Sequence, residues 1–257
     1  PKGTPILRDP EPIADADIVL MESTYGNRLH RSRSDTVDEL GSVFAQAYAS
    51  GGNIVIPAFA VGRTQELLYW MAENYEAWGV DRFRIYLDSP MAGKVLAVYE
   101  KHDDIFDDEA KRLWASRRQP LRLPNLRVIE SVQESQALNE EDGGAVIIAG
   151  SGMCNGGRIR HHLRHNLGRE NAHIVFVGYQ AHGTLGRLLV DGARDVRLFG
   201  ERIEVLAQRH TIGGLSAHAD QAGLMEWYGH FASRPPVYLV HGEDEARRAL
   251  AGKLREA

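Results

Sequence analysis

A single cysteine, Cys154, stands in a chain of 257 residues, so no disulfide can form within it and the sequence fits a reducing compartment. Long apolar runs are missing too. None approaches the roughly 20 residues that a membrane-spanning helix needs, and the expectation is a cytoplasmic protein with no membrane partner. Nor is there an excess of positive charge. Lys and Arg number 30 against 35 Asp and Glu, a formal net charge of −5, so no global basic field announces nucleic acid and such a partner has to be read from local patches. Internal repeats and low-complexity segments are absent. What is there has an ordinary globular balance, 43% apolar and 25% charged, with length enough for one large domain or two smaller ones. The sequence opens on Pro1 rather than Met, which suggests an internal piece of something longer.

The apolar patterning alternates between two periods. "ADIVLME" (16–22) reads as a short buried strand ending on a carboxylate. "SDTVDELGSVFAQAYASGG" spaces Val37, Leu40, Val43, Phe44, Ala47 and Tyr48 at helical intervals and stops at Gly51 and Gly52. "NIVIP" then predicts a strand, "RTQELLYWMAENYEAW" a helix, and "FRIYLD" a strand with Pro90 suited to the first turn of the helix after it. "LRVIES" is a strand, with Ser131 and Glu134 spaced as a capping box. "GAVIIAG", the helix "GRIRHHLRHNLG" with Gly168 as its stop, and "AHIVFVG" follow. "VRLFG" and "IEVLAQRH" are two more strands, before the helix "DQAGLMEWYGHFA", the strand "PPVYLVH" and the helix "DEARRALAGKLRE". "HDDIFDDEAKR" reads as a solvated acidic face. Strands alternating with helices predict an α/β fold with a largely parallel sheet. In such sheets ligand groups lie just beyond the carboxyl ends of strands. Polar signals sit at those ends repeatedly: Glu22, "PAFAVGR", "LDSPMA", "AGSGMCNGGR", "VGYQAHGT" and "VHGE".

Several of these stretches can do chemistry. From Gly143 to Arg169 there is no carboxylate, while Arg158, Arg160, Arg164 and Arg169 are all present. A Gly-rich turn feeding a helix exposes backbone N–H groups to an anion, and arginines add charge-assisted donors, so this window reads as a phosphate cradle, with a basic solvated helix as the plainer alternative. Arg63, between a strand and a helix, offers a second phosphate contact or a surface ion pair. Ser89 in "DSPMA" is a helix cap or a substrate contact. His161 and His165 are one turn apart, yet His162 stands where a zinc-protease helix would carry its Glu, so polar surface histidines are the better reading. Cys154 has no base placed beside it. Glu22, His218 and His241 each end a strand or follow a Gly turn. Together they suggest a carboxylate that orients one histidine and stabilises its imidazolium form, with the other histidine free to bind a metal.

At these residues the sequence resembles the β-CASP nucleases of the metallo-β-lactamase fold, a group of RNA exo- and endonucleases. The matching stretches are "LMESTYGNRLH", "PAFAVGRTQELL", "DSPMA", "GSGMCNGGRIRHHLRHNL", "GYQAHGTLGRLLVDGA", "HTIGGLSAHAD" and "LVHGE", in family order along nearly the whole chain. The resemblance implies a β-CASP domain, a parallel sheet flanked by helices, inserted in a metallo-β-lactamase αββα fold of which only the later segments are present. Residues 1–26 would be a partial metallo-β-lactamase segment ending in motif A, 27–208 the β-CASP insert, and 209–257 the returning segment with motifs B and C. Glu22 matches motif A, His218 motif B (the general acid partnered by that carboxylate), and His241 motif C, a ligand of one of two zinc ions. Arg63, Ser89, Ser151, Gly152, Arg158 and Ser216 would lie near substrate phosphates.

The resemblance also implies a function: zinc-dependent hydrolysis of phosphodiesters in single-stranded RNA, with His218 protonating the departing 3′-oxygen and a homodimer as a candidate assembly. The family's H-x-H-x-D-H cluster is missing from this sequence, so the chain as given is expected to be an inactive fragment. Two rival readings remain, a non-catalytic RNA-binding or scaffold paralogue and a small phosphoester or thioester hydrolase on the same fold.

Overall fold

A computed structural model describes residues 2–115, 119 and 121–256. In chain order the elements are β1 (Val19–Glu22), α1 (Arg33–Ser50), β2 (Ile54–Pro57), α2 (Arg63–Glu73), β3 (Arg84–Asp88), α3 (Pro90–Lys101), α4 (Asp108–Ala115), β4 (Leu126–Val128), α5 (Val132–Ala137), β5 (Ala145–Ala149), α6 (Ile159–Asn166), β6 (His173–Phe176), α7 (Leu185–Val190), β7 (Asp195–Leu198), β8 (Glu201–Glu204), β9 (Gln208–Thr211), α8 (Gln221–Tyr228), β10 (Val237–Val240) and α9 (Asp244–Glu256). They divide into two units. One joins Pro1–Arg31 to Ser216–Ala257, and the other is the continuous segment Ser32–Leu215.

The continuous unit is built on a six-stranded sheet in the order β4-β3-β5-β2-β6-β9, with every pairing parallel. Parallel strands need crossover connections, and helices supply them on both faces, so the central strands are apolar throughout rather than alternating. Ile54 and Ile56 of β2 and Val146 and Ile148 of β5 face a core that takes Leu40, Val43 and Phe44 from α1 and Leu67, Leu68 and Met71 from α2. Val55, Ile174 and Phe176 point the other way, onto Ile159 and Leu163 of α6 and Leu189 of α7. Each fully buried Leu, Ile or Phe contributes about 1.5–3 kcal/mol of transfer free energy, so the two cores together dominate the stability of this unit.

Local signals set the helix ends. Ser32 accepts a hydrogen bond from Asp35 N at the start of α1, and Gly51 in the left-handed region closes it. Pro90 opens α3, and the Ser131–Glu134 capping box opens α5. Two expectations need correction. "IEVLAQRH" is two strands, not one. β8 pairs antiparallel with β7 across a turn at Phe199 and Gly200, both at positive φ, and the chain then bends so that Leu206 N and Ala207 N both donate to Leu167 O before β9 joins β6. β9 thus belongs to the large sheet, within the continuous unit Ser32–Leu215. The acidic stretch around 102–112 is solvated on one side only, since Phe106 and Ala110 are buried.

One buried polar contact at the sheet margin is pH-sensitive. Ser50 Oγ lies 3.1 Å from His173 Nε2, and His173 Nδ1 lies 3.0 Å from His210 Nε2. Burial, and after it the neighbouring His210, push the His173 imidazole down to about 4. The folded state therefore keeps His173 neutral where the unfolded chain takes up a proton near pH ~6.5. Its contribution is complete above that pH and is lost as pH falls towards 4, up to about 3 kcal/mol at ~1.4 kcal/mol per unit. Urea unfolding should accordingly show His173→Gln losing less stability than the parent chain on going from pH ~7 to pH ~4.5. Equal losses in the two proteins would contradict the assignment.

Candidate active site

The discontinuous unit is held together by a two-stranded parallel sheet in which β1 pairs with β10 in the register Val19↔Val237 to Glu22↔Val240. Val19 and Met21 face inward onto Leu224, Tyr228, Phe231 and Leu250. The register brings Glu22 level with Val240, so His241 emerges beside the turn that follows Glu22. That turn is stitched to it. Ser23 N donates to His241 O (3.1 Å), Ser23 Oγ donates to Val240 O (3.0 Å), and Thr24 Oγ1 donates to His241 O (3.2 Å). His241 itself sits in the left-handed region at φ 48°, a conformation that costs a non-glycine residue about 1 kcal/mol or more and is often kept where a side chain must be aimed. Gly242 after it has no room for a side chain, since a Cβ there would stand 2.4 Å from Ser23 Oγ and 2.7 Å from Ser23 O.

His218 enters from the loop before α8. Its N–H donates to Ser216 Oγ (3.1 Å), and its carbonyl accepts from His30 Nε2 (2.9 Å). Asp220 caps α8 through Gly223 N and also accepts from His30 N. The loop is thus fixed at both ends of the histidine. Ala219 N donates to Glu22 Oε1 (3.2 Å), and His218 Nδ1 lies 2.5 Å from Glu22 Oε2. That oxygen is buried, with the His218 ring as its close neighbour. Burial raises the Glu22 carboxyl, but the His218 contact, the Thr24 hydroxyl and the Ala219 N–H outweigh it and hold the group below the usual carboxylate range.

The His218 and His241 rings stack with centroids 5.0 Å apart, and one ligating atom from each of Glu22, His218 and His241 falls within 4.8 Å of the others. Among the described residues this is the one such group of three. Thr24 Oγ1 lies 3.0 Å from His241 Nδ1. With Nδ1 turned to the Thr24 hydroxyl, Nε2 is the ring nitrogen of this exposed histidine that remains for a metal. The donor set therefore fits zinc at its His241 edge, where imidazole nitrogen is the usual ligand.

The other candidates divide. Ser216 is part of this site, as the acceptor for His218 N. Arg63, Ser89, Ser151, Gly152 and Arg158 belong to the continuous unit, at or after the carboxyl ends of β2, β3 and β5. Arg63 is buried against Glu66. Ser89 caps α3 through Ala92 N. Ser151 is tied to Gly156 within its own turn. Arg158 reaches Asp88 Oδ1 (2.6 Å) and the carbonyls of Ile129 and Glu130. Arg164 and Arg169 are likewise engaged, with Glu201 and with the Glu141 carbonyl. The acid-free window thus gives Arg158, Arg164 and Arg169 partners within the fold. His162, set aside on sequence grounds, is buried with Nε2 2.6 Å from Asp88 Oδ2. Burial raises Asp88, but His162, Ser135 and Arg158 together hold it below the carboxylate range. Cys154 is buried and its thiol is pushed up to about 12, so no thiolate forms near neutrality.

Thr24, His30 and Asp220 were not singled out from the sequence. Asp220 had a legible signal, an Asp immediately before an apolar helical run. Thr24 and His30 had none, because each acts on a residue nearly the whole chain away.

The site and sheet define a class, and comparison with known proteins gives its family. A Beta-Casp domain matches residues 64–189, and a Zn-dependent metallo-hydrolase RNA specificity domain matches residues 202–257. The chain belongs to the β-CASP family of the metallo-β-lactamase fold. It is 43% identical over 249 residues to Ribonuclease TTHA0252 of Thermus thermophilus, covering 97% of this chain and 56% of the relative. It is 32% identical to the transcription termination factor FttA of Pyrococcus abyssi (93% and 38%) and 33% identical to that of Thermococcus kodakarensis (88% and 36%). The chain thus spans about half, or less, of the length of these relatives. No helix among the described residues is long and apolar enough to cross a membrane.

Two glycines of this unit separate close approach from helix propensity. Gly242→Ala should destabilise the chain by about 1–3 kcal/mol, because the new methyl meets backbone that cannot yield. Gly252→Ala, within α9 and with nothing in reach of its Cβ, should stabilise it by about 0.5–1 kcal/mol. Thermal unfolding of the two variants checks the pair, and a tolerated Gly242→Ala would show that the two turns are not in contact.

Proposed function

We propose that this chain carries the proton-donor half of a zinc-dependent RNA phosphodiester hydrolase. The observation that carries the reading is the convergence of Glu22, His218 and His241 in one unit, with Glu22 in contact with His218 and His241 presenting a free imidazole edge. Glu22 fixes the orientation of His218, and a histidine so held delivers a proton to the 3′-oxygen leaving phosphorus, which keeps the phosphate on the 5′ product. His241 is the zinc ligand, oriented by Thr24. When bound, zinc supplies Lewis-acid neutralisation of phosphate charge and lowers the pKa of water. The RNA specificity domain match and the ribonuclease relative support RNA as the substrate class.

Glu22 and His218 are committed to each other, so the described residues leave His241 as the uncommitted donor, whereas tetrahedral zinc needs about four ligands. The outward face of β1 and β10 exposes Ile18, Leu20, Tyr238 and Val240, and a two-stranded sheet with a bare apolar face supports a larger sandwich around it. The chain alone is therefore inactive, and activity requires further metal ligands from outside the residues given. Incubated with zinc and a labelled RNA, the 257-residue chain should give no turnover. Sustained, zinc-dependent cleavage by it would overturn this part of the reading.

In an active protein containing these residues, Glu22→Gln and His218→Ala should each lower kcat by roughly 10²- to 10⁴-fold with zinc content unchanged, while His241→Ala should lower zinc content as well. Steady-state kinetics with metal analysis separates the roles. Full activity in Glu22→Gln would remove the proton-donor assignment.

A further inference from the structure

In the six-stranded sheet, β2 and β5 are neighbours, yet the helices that follow them leave to opposite faces. α2 packs into the core containing Ile54 and Ile56, and α6 packs into the core containing Val55. The crevice beyond the carboxyl ends of β2 and β5 is therefore the topological switch point of the sheet, where open parallel sheets take their ligands. Two loops meet there. Ala58 N donates to Ala149 O (3.0 Å), which keeps the strands in step, and the next residues are Phe59 on one side and Gly150, Ser151 and Gly152 on the other.

Phe59 is 48% exposed, an unusual place for a ring in a loop whose backbone is this well anchored. Its carbonyl accepts from both Thr64 N (3.3 Å) and Thr64 Oγ1 (2.8 Å). One side of the ring lies on Gly152, where an added Cβ would stand 2.7 Å from Phe59 Cδ2. Gly152 is itself held, its carbonyl accepting from Gln180 Nε2 (2.9 Å), a side chain nearly buried. Glycine here serves the ring: any side chain at 152 would push Phe59 off its seat. Val61, in the same loop, and Met91, after β3, are also solvent-exposed at this end of the sheet. The result is a rigid aromatic surface, backed on one side and exposed to solvent, at the ligand-binding edge of the sheet.

We propose that Phe59 is a base-stacking platform for single-stranded RNA, seated on Gly152. The inference rests on the RNA reading above and goes beyond it by naming where a base is held. Nucleobases stack on exposed rings without regard to sequence, since every base has a π-face. A chain with net charge −5 has no excess of lysine and arginine to draw RNA by phosphate contacts alone, so stacking carries a larger share of its affinity.

The test uses the 257-residue chain, fluorescently labelled oligouridylate, and an abasic ribose-phosphate strand of equal length and charge. Phe59→Leu should weaken oligouridylate binding roughly 5- to 150-fold, leave the slope of affinity against salt unchanged, and have no effect on the abasic strand. Phe59→Tyr should bind as the parent does. Gly152→Ala should weaken binding as Phe59→Leu does, and equal melting temperatures across the set would exclude loss of folding. With 5-iodouridine in the strand, ultraviolet cross-linking followed by peptide mass analysis should mark Phe59. If the unsubstituted chain binds neither strand, the RNA reading fails and the platform with it. If it binds oligouridylate and Phe59→Leu binds equally well, or the variant loses the abasic strand to the same degree, the platform alone is overturned.

Discussion

A single backbone pairing governs the candidate site. β1 and β10 come from opposite ends of the chain, and their parallel register sets Glu22 beside Val240. A slip of one residue would turn Glu22 to the other face and carry His241 out of reach of Thr24, since strand side chains alternate. Two features hold the register. The apolar side chains Val19 and Met21 have partners on one face only, and the turn after β1 is tied to the turn after β10 by three hydrogen bonds that need Gly242 to be bare. The left-handed backbone at His241 is maintained by the same contacts. What looks like a catalytic arrangement is first a solution to packing two strand ends closely.

The continuous unit answers a different constraint. Its sheet is wholly parallel, so both faces must be covered and the crossover helices do so. The ends of β2, β3 and β5 then form one edge, and the polar groups there are largely used to hold the edge in shape. Asp88 gathers Ser135, Arg158 and His162 around one buried carboxylate. Removing one partner from such a cluster is costly, because the carboxylate stays buried. The side chains at this edge left open to solvent include apolar ones, Phe59, Val61 and Met91.

The α/β class, most strands and the helix caps could be read directly, because apolar period and capping residues are local properties. Pro90, Ser131 with Glu134, and Gly51 all stand where their chemistry predicted. Boundaries were harder. "IEVLAQRH" is a continuous β-prone run, and only the Leu167 carbonyl, distant in sequence, breaks it into two strands. The site was legible as a set of residue types at strand ends, and the family resemblance ordered them. Its fixings were not: Thr24 and His30 acquire meaning only once His241 and His218 are beside them. Charge misled most. A window free of carboxylates in sequence lies in space against the carboxylates of Asp88 and Glu201 and the main-chain carbonyl of Glu141, because partners are chosen by the fold and not by the neighbouring residues.

The central claim is that Glu22 holds His218 in one tautomer and orientation. Long-range ¹H–¹⁵N correlation spectra of the histidine side chains in the zinc-free chain test it directly. The expected result is a proton on His218 Nδ1, shifted downfield by the carboxylate, which moves in Glu22→Gln while the His173 and His210 resonances stay in place. A His218 ring with the Nε2–H tautomer and a spectrum indifferent to Glu22→Gln would contradict the account.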